Sequence, residues 1–214
     1  MNYYNNTRSE MLEFVPSECK IILEVGCGEG LFGEQLIQQR GAEVWGVEPS
    51  IAAATRAATR LTRIYHGNYD GTIALPENYF DCIVFNDVLE HMIDPWSILH
   101  GSLRFLKKDH ACIVASIPNF RNWHNLIEIV IKKEFTYRES GILDKTHYRF
   151  FTEQSIRTLF NTSGFDIIRS VGINPVQSKK FKIANFLLLN HIRDMQFMQF
   201  AVVSTPHGMG RNIG

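Results

Sequence analysis

Apolar and polar positions alternate in blocks along the first half of the chain, and the blocks change period in a regular way. Ile21-Ile22-Leu23-Glu24-Val25 is a short β-branched run that stops at Gly26, which predicts a strand buried on both faces. After a glycine-rich turn, Leu31, Phe32, Leu36 and Ile37 recur at helical spacing and Gly41 closes the segment. Glu43 to Val47 predicts a second strand, Ile51 to Leu61 an alanine-rich helix capped by Ser50, and Arg63 to His66 a weak third strand. Asp81 to Phe85 predicts a fourth strand. A helix then opens at Asp94-Pro95 with Ile98, Leu99, Leu103 and Leu106 on one face, and Ala111 to Ile117 predicts a fifth strand.

Beyond Ile117 the alternation breaks. Asn119 to Tyr148 is a long segment with a helical stretch around Leu126 to Ile131, and Thr152 caps a helix running through Ile156, Leu159 and Phe160 to Gly164. Strands Phe165 to Val171 and Phe197 to Ser204 follow, separated by the basic-apolar segment Lys179 to Leu189, which reads as helical. The expected fold is α/β: a doubly wound, mostly parallel seven-stranded sheet with an antiparallel C-terminal edge, whose ligands bind at the carboxyl ends of the strands. The chain is expected to be one domain over residues 1–214. Residues 1–18 form an N-terminal lid, 19–118 a cofactor-binding core, and 119–150 and 175–197 the acceptor pocket.

Composition narrows the classes. The 214 residues carry 22 Lys plus Arg against 22 Asp plus Glu, so no net charge calls for a nucleic-acid partner. The cysteines, Cys19, Cys27, Cys82 and Cys112, have no CxxC spacing and read as reduced thiols of a cytoplasmic protein without structural zinc. Neither a secretory signal nor a run of ~20 apolar residues is visible.

Chemistry concentrates where the first strand turns. Gly26, Gly28 and Gly30 alternate through that turn, where a ligand would meet bare backbone and the free N–H groups of a helix start. Glu48, ending the second strand, can accept hydrogen bonds from a ribose diol. The embedded string Gly28-Glu29-Gly30-Leu31-Phe32-Gly33 also has a dinucleotide spacing, which keeps an NAD-dependent oxidoreductase open. Against it, Glu24 puts a carboxylate where a pyrophosphate would lie; a cationic sulfonium with an ammonium group suits that position better.

Taken together, Ile21 to Leu31 (IILEVGCGEGL), Trp45 to Ser50 (WGVEPS) and Asp81 to Pro95 (DCIVFNDVLEHMIDP) resemble the motifs of class I S-adenosylmethionine-dependent methyltransferases over roughly residues 20–120. The segment Gly141 to Thr152 (GILDKTHYRFFT), with Asn2 to Pro16, is similar to a bacterial subgroup associated with sugar and surface-polysaccharide modification. The resemblance implies S-adenosyl-L-methionine as cofactor, with Glu24 toward the methionine ammonium and Gly26, Cys27 and Gly28 lining it. Glu48, followed by Pro49, would hold the ribose hydroxyls. Asn68 and Tyr69, with Asp70 as a neighbour, would lie at the adenine end, and Asn86 and Asp87 near the transferable methyl.

The acceptor is expected to be a small molecule or carbohydrate, O-methylated by in-line transfer with His147 or His91 as base; Asp144 and Arg149 share the His147 segment, where they serve either chemistry or docking of a lid. Leu89-Glu90-His91 reads either as a helix start or, as in quinone-pathway methyltransferases, as a metal site at Glu90 and His91. Tyr3, Tyr4 and Arg8 are expected to fold over the cofactor. Lys179, Lys180 and Lys182 read as a solvated helix face, with a phosphate-bearing or membrane-surface acceptor as the other reading. A non-catalytic domain that binds the cofactor as a sensor is the remaining function class; the oligomeric state is not encoded in any motif.

Overall fold

The computed structural model describes residues 7–70 and 72–209. Seven strands form one sheet: β1 (Ile21–Val25), β2 (Glu43–Glu48), β3 (Arg63–His66), β4 (Cys82–Asn86), β5 (Cys112–Pro118), β6 (Phe165–Pro175) and β7 (Phe197–Pro206). Their spatial order is β3-β2-β1-β4-β5-β7-β6. All pairings from β3 to β5 are parallel, and β7 lies antiparallel to both β5 and β6. The expected doubly wound sheet with an antiparallel edge is therefore present, and the order reverses between β1 and β4, where such sheets open a ligand crevice.

Side-chain alternation divides the interior into two layers. Leu23, Val25, Ile83, Phe85, Ile113 and Ala115 face one side, packed with Leu99, Ile156, Leu159 and Phe160. Ile22, Val44, Cys82, Val84, Cys112 and Val114 face the other, packed with Phe32, Leu36, Ala57, Met11 and Phe14. The helices are α1 (Leu31–Arg40), α2 (Ile51–Ala57), α3 (Pro95–Ser102), α4 (Trp123–Val130), α5 (Glu153–Thr162) and α6 (Lys179–Leu187). Local capping chemistry sets several starts: Ser50 Oγ accepts from Ala53 N–H, Asp94 Oδ1 from Ser97 N–H, and Thr152 and Ser155 form a capping box.

Several bounds differ from the sequence expectation. α2 ends at Ala57, four residues before Leu61, because the chain tightens into a turn there with Leu61 N–H still bonded to the Ala57 carbonyl. α3 stops at Ser102, so Leu103 and Leu106 lie beyond it, and Leu106 instead bridges Phe80. Asn122 caps α4 three residues ahead of the expected stretch, and β6 runs on to Pro175 past a bulge at Ile167/Arg169. Leu89–His91, read from sequence as one of two alternatives, a helix start, is a 3-10 turn, and a second, Ser9–Phe14, lies in the N-terminal segment expected to form a lid or helix, whereas the 3-10 turn Arg193–Gln196 was not legible as an element. At the amino ends of the strands, Asp81 Oδ2 accepts from the N–H groups of Lys20 and Ile21 while Lys107 pairs with its other oxygen at 2.6 Å, which ties β4 to the start of β1.

Candidate active site

At the opposite, carboxyl end, the glycine loop is shaped by backbone that only glycine adopts comfortably. Gly26, Gly28 and Gly30 have φ of 66°, 55° and 78°. A Cβ on Gly26 would also stand 2.7 Å from a Val88 methyl, so the loop passes against the β4 turn with no room for a side chain. Two bonds to the Val47 carbonyl, from Gly26 N–H at 2.8 Å and Cys27 N–H at 3.2 Å, anchor the loop to β2.

Glu48 completes that anchor. Its Oε2 accepts from Gly28 N–H at 2.9 Å and its Oε1 from Ser50 N–H at 2.8 Å, so one buried carboxylate fixes both the glycine loop and the start of α2. Each oxygen retains a second acceptor site. Glu24 is different: it is 4% exposed, Gly33 N–H bonds it, and its Oε2 has no partner among the described residues. Burial raises its pKa to about 8 despite the Gly33 bond, with Glu48 adding to the rise. A carboxylate so placed favours a cationic ligand group. Cys27 Sγ packs beneath Gly46, and burial holds its thiol far above the usual range, which makes it filler and not a nucleophile.

The residues expected at the adenine end divide. Asn68 and Pro49 are exposed at the carboxyl ends of β3 and β2, and the Pro49 carbonyl contacts His66 Nε2 at 3.1 Å. Tyr69 points the other way: it is 6% exposed, packs edge-on to Phe85 and shares a hydrogen bond with Ser102 Oγ at 2.9 Å. Asp70 turns back on Thr72, accepting from its N–H and hydroxyl.

The end of β4 gathers the remaining residues. Asn86 has neither amide atom partnered among the described residues. Asp87 adopts φ of 56°, a strained conformation for a non-glycine residue. Its carboxylate receives Gln199 Nε2 at 2.6 Å, Ser116 Oγ at 3.1 Å and Arg8 Nη1 at 3.1 Å. Burial raises the Asp87 pKa, and the Arg8 guanidinium and Ser116 hydroxyl oppose the rise. Arg8 also reaches Gln199 Oε1 at 3.1 Å, so the residue placed in the lid lies at the end of β4 beside Asp87; Tyr3 and Tyr4 lie outside the described residues.

Next to Asp87, the Leu89–His91 turn meets the segment that carries His147. Tyr148 and Arg149 N–H groups both bond the Glu90 carbonyl, and Arg149 donates twice to the Ile93 carbonyl, which makes Arg149 a docking residue. Asp144, against the cost of burial, is held below the usual carboxylate range by two bonds from Thr146, and Thr146 in turn contacts His91 Nδ1. The His91 and His147 rings stand edge to face with centroids 4.6 Å apart. His147 Nδ1 lies 3.0 Å from the Ile142 carbonyl, a contact that puts the proton on Nδ1 and leaves the Nε2 lone pair toward Glu90 Oε1, 4.0 Å away. Burial and the neighbouring His91 lower the His147 pKa, so the ring is neutral. Glu90 is 1% exposed with both oxygens unpartnered; burial first, then Asp87, pushes its carboxyl well above the carboxylate range.

Gln199 and Ser116, which hold Asp87, were missed from sequence because they lie on strands whose periodicity reports burial only. The only available signal was a polar residue interrupting each apolar run.

Fold and site together define an α/β protein whose ligand crevice opens at the glycine loop, at the carboxyl ends of the strands. Residues 4–170 match the family described as Methyltransferase domain. The chain is 26% identical over 190 residues to a ubiquinone biosynthesis O-methyltransferase of Psychrobacter arcticus, covering 83% of this chain and 71% of that protein. It is 27% identical over 190 residues to the protein of that description from Bartonella quintana, covering 83% and 75%. Against the similarly described Rhodopseudomonas palustris protein, at 25% identity and covering 74% of this chain, it spans 64% of the relative's length. Among solved structures, a SAM-dependent methyltransferase from Archaeoglobus fulgidus superposes with a TM-score of 0.63 at 18% identity, covering 88% of this chain and 86% of that one. A Mesorhizobium loti S-adenosylmethionine-dependent methyltransferase gives 0.62 at 19%, covering 91% and 95%. This chain belongs to the methyltransferase-domain family. It is a methyltransferase, and the cofactor of the class I fold it adopts is S-adenosyl-L-methionine. Among the described residues, no helix is long and apolar enough to cross a membrane.

Proposed function

We propose that the chain O-methylates a small hydroxylated molecule, a carbohydrate precursor in the finer reading, in the cytoplasm. The observation that carries this is the His147 imidazole: buried, neutral, with Nδ1 committed to the Ile142 carbonyl and a free Nε2 lone pair beside Glu90. The relatives named as O-methyltransferases support an oxygen acceptor, and the GILDKTHYRFFT segment supports a carbohydrate one.

When bound, S-adenosyl-L-methionine supplies an electrophilic methyl group on a sulfonium sulfur. The residues present fit that cofactor: a glycine loop without room for a Cβ, a buried Glu24 oxygen lacking a donor, and an unpartnered Asn86 amide at the crevice. Glu24 would hold the ammonium, Glu48 the ribose hydroxyls through its remaining acceptor sites, and Gly26, Cys27 and Gly28 the backbone contacts, with Pro49, Asn68 and Asp70 around the adenine and Asn86 and Asp87 by the methyl. Tyr69 would support that wall from beneath through Phe85. His147 Nε2 would take the acceptor's hydroxyl proton as the oxygen attacks, while Arg8, Ser116 and Gln199 fix Asp87 at the reacting end. His147→Ala should lower kcat by ~10²- to 10⁴-fold, the ordinary value of a general base, with cofactor affinity unchanged. Incubation with hydroxylated acceptors, sugars and phenols, and mass spectrometry for the gain of one CH₂ unit checks turnover; full activity in His147→Ala would remove the base.

A second reading is favoured by one observation. Glu90, His91 and His147 offer ligand atoms that all lie within 4.8 Å of one another. With His147 Nδ1 and His91 Nδ1 oriented by carbonyls, the two Nε2 atoms and a Glu90 oxygen would suit a divalent ion that polarises the acceptor hydroxyl. Activity lost on dialysis against a chelator and restored by magnesium or zinc would support this reading; activity indifferent to both would reject it.

A further inference from the structure

α6 is an amphipathic helix mounted inside out. Its one buried side chain, Phe181, packs against Trp123 of α4 with ring centroids 5.5 Å apart, and Ser178 caps the helix by accepting from Phe181 N–H. At 100° per residue, Ile183 and Phe186 lie roughly 140–160° around the helix from Phe181, with Leu187 about 120° away. The apolar stripe thus faces solvent: Ile183 is 62% exposed, Phe186 76% and Leu187 72%, and Leu188 and Leu189, just past the helix end, are exposed as well at 52% and 79%. A helix that folds for its own stability turns such a stripe inward. Here the inward side holds a single aromatic anchor and the outward side holds the leucines.

The charges around the stripe have one sign. Lys179 opens the helix on the stripe itself, Lys180 and Lys182 flank it on either side, and all are exposed. No Asp or Glu occurs from residue 167 to 193, in a chain whose charges otherwise balance at 22 and 22. Apolar side chains bordered by lysines that can extend their ammonium groups sideways are the arrangement by which a helix lies in the headgroup region of a bilayer. A second copy of the chain is disfavoured, since a two-fold contact through this face would bring the lysines of both copies together.

We infer that the α6 face, Lys179 to Leu189, docks the protein on an anionic lipid surface, with Ile183, Phe186, Leu187 and Leu189 entering the headgroup layer and Lys179, Lys180 and Lys182 contacting lipid phosphates. The inference does not depend on the reaction assigned above.

The test is sedimentation of the full chain with vesicles of mixed phosphatidylglycerol and phosphatidylcholine, and with phosphatidylcholine vesicles alone. The chain is expected to pellet with the anionic vesicles, to stay in solution with the neutral ones, and to be released as salt shortens the Debye length from ~30 Å to ~3 Å. The double substitution Phe186→Glu and Leu187→Glu, both at exposed positions, should lower the partition at least ~10-fold, as removal of several buried CH₂ groups requires. Its melting temperature and its heat of S-adenosyl-L-methionine binding should remain those of the parent, so loss of docking and loss of the methyltransferase site are read separately. Absence of pelleting with anionic vesicles at low salt overturns the inference, as does equal pelleting of the double variant. A dimer in light scattering that the same substitutions split, without lipid binding, would assign the face to a second copy and overturn it as well.

Discussion

Glu48 and Glu90 sit at the same end of the sheet, 3% and 1% exposed, yet they are opposites. Glu48 spends one oxygen on Gly28 N–H and the other on Ser50 N–H, so the fold consumes its charge to build the cofactor loop. Neither Glu90 oxygen has a hydrogen-bond partner among the described residues, and burial pushes its carboxyl well above the usual carboxylate range. Glu24 stands between the two, its rise in pKa opposed by the Gly33 N–H and its Oε2 without a partner among the described residues. The contrast teaches where scaffold ends and chemistry begins: a buried acid whose bonds are complete organises backbone, and one left incomplete waits for a proton, a cation or a substrate.

The sharpest way to probe that contrast is the pH dependence of Glu24. Its folded pKa of about 8 lies above its ordinary value of 4.5, so the native state holds a proton that the unfolded chain releases. Stability must then fall as pH rises from near 4.5 and level off above 8, by on the order of 5 kcal/mol for this group alone. Glu24→Gln should remove that share of the decline, visible in urea unfolding at pH 5 and pH 8.5 as a smaller difference than in the parent; an unchanged difference would mean the carboxylate is already compensated.

Glu48→Ala attacks the completed acid. It leaves two N–H groups without their acceptor, for a cost of about 2–3 kcal/mol, and weakens S-adenosyl-L-methionine binding by at least ~10-fold as the loop loses its anchor. Calorimetric titration and urea unfolding measure the two effects, and parent-like behaviour in both would break the comparison. Glu90→Gln should change stability at pH 7 by less than about 1 kcal/mol, since the amide replaces a carboxyl that is already neutral, while turnover falls. A large destabilisation would place a charge on Glu90 in the native state. The smallest effect belongs to removal of residues 1–8: losing Arg8 leaves Asp87 with Ser116 and Gln199, so cofactor affinity should drop only a few-fold, about 0.5–1 kcal/mol. Affinity identical to the parent would reject a lid at this position.

Much of this was legible in the amino-acid order. β1, β4 and β5 are mostly apolar runs, each with a single polar side chain, Glu24, Asn86 and Ser116, and a strand buried on both faces allows few other patterns. The glycine loop and Glu48 followed from what a cofactor needs of a strand end. Tyr69 was harder, because three residues past a weak strand no period says which way a side chain turns; the packing against Phe85 and the hydrogen bond with Ser102 decide it. The clamp on Asp87 was illegible for another reason: its partners Arg8, Ser116 and Gln199 come from three distant segments that only the sheet order brings together. The exposure of α6 was hidden too, since its residues alone do not tell which face Phe181 anchors.

The sheet order has a consequence for how the molecule comes off the ribosome. β7 lies between β5 and β6, and among the described residues β6 pairs with no other strand. A nascent chain can assemble β1 to β5 early, but until the stretch Phe197–Pro206 emerges, β5 keeps an open edge, β6 has no berth, and Asp87 lacks its Gln199 contact. The Asp87 end of the sheet is thus completed only after β1 to β5 have been made, and a translation product stopped short of β7 would present bare strand edge to the cell.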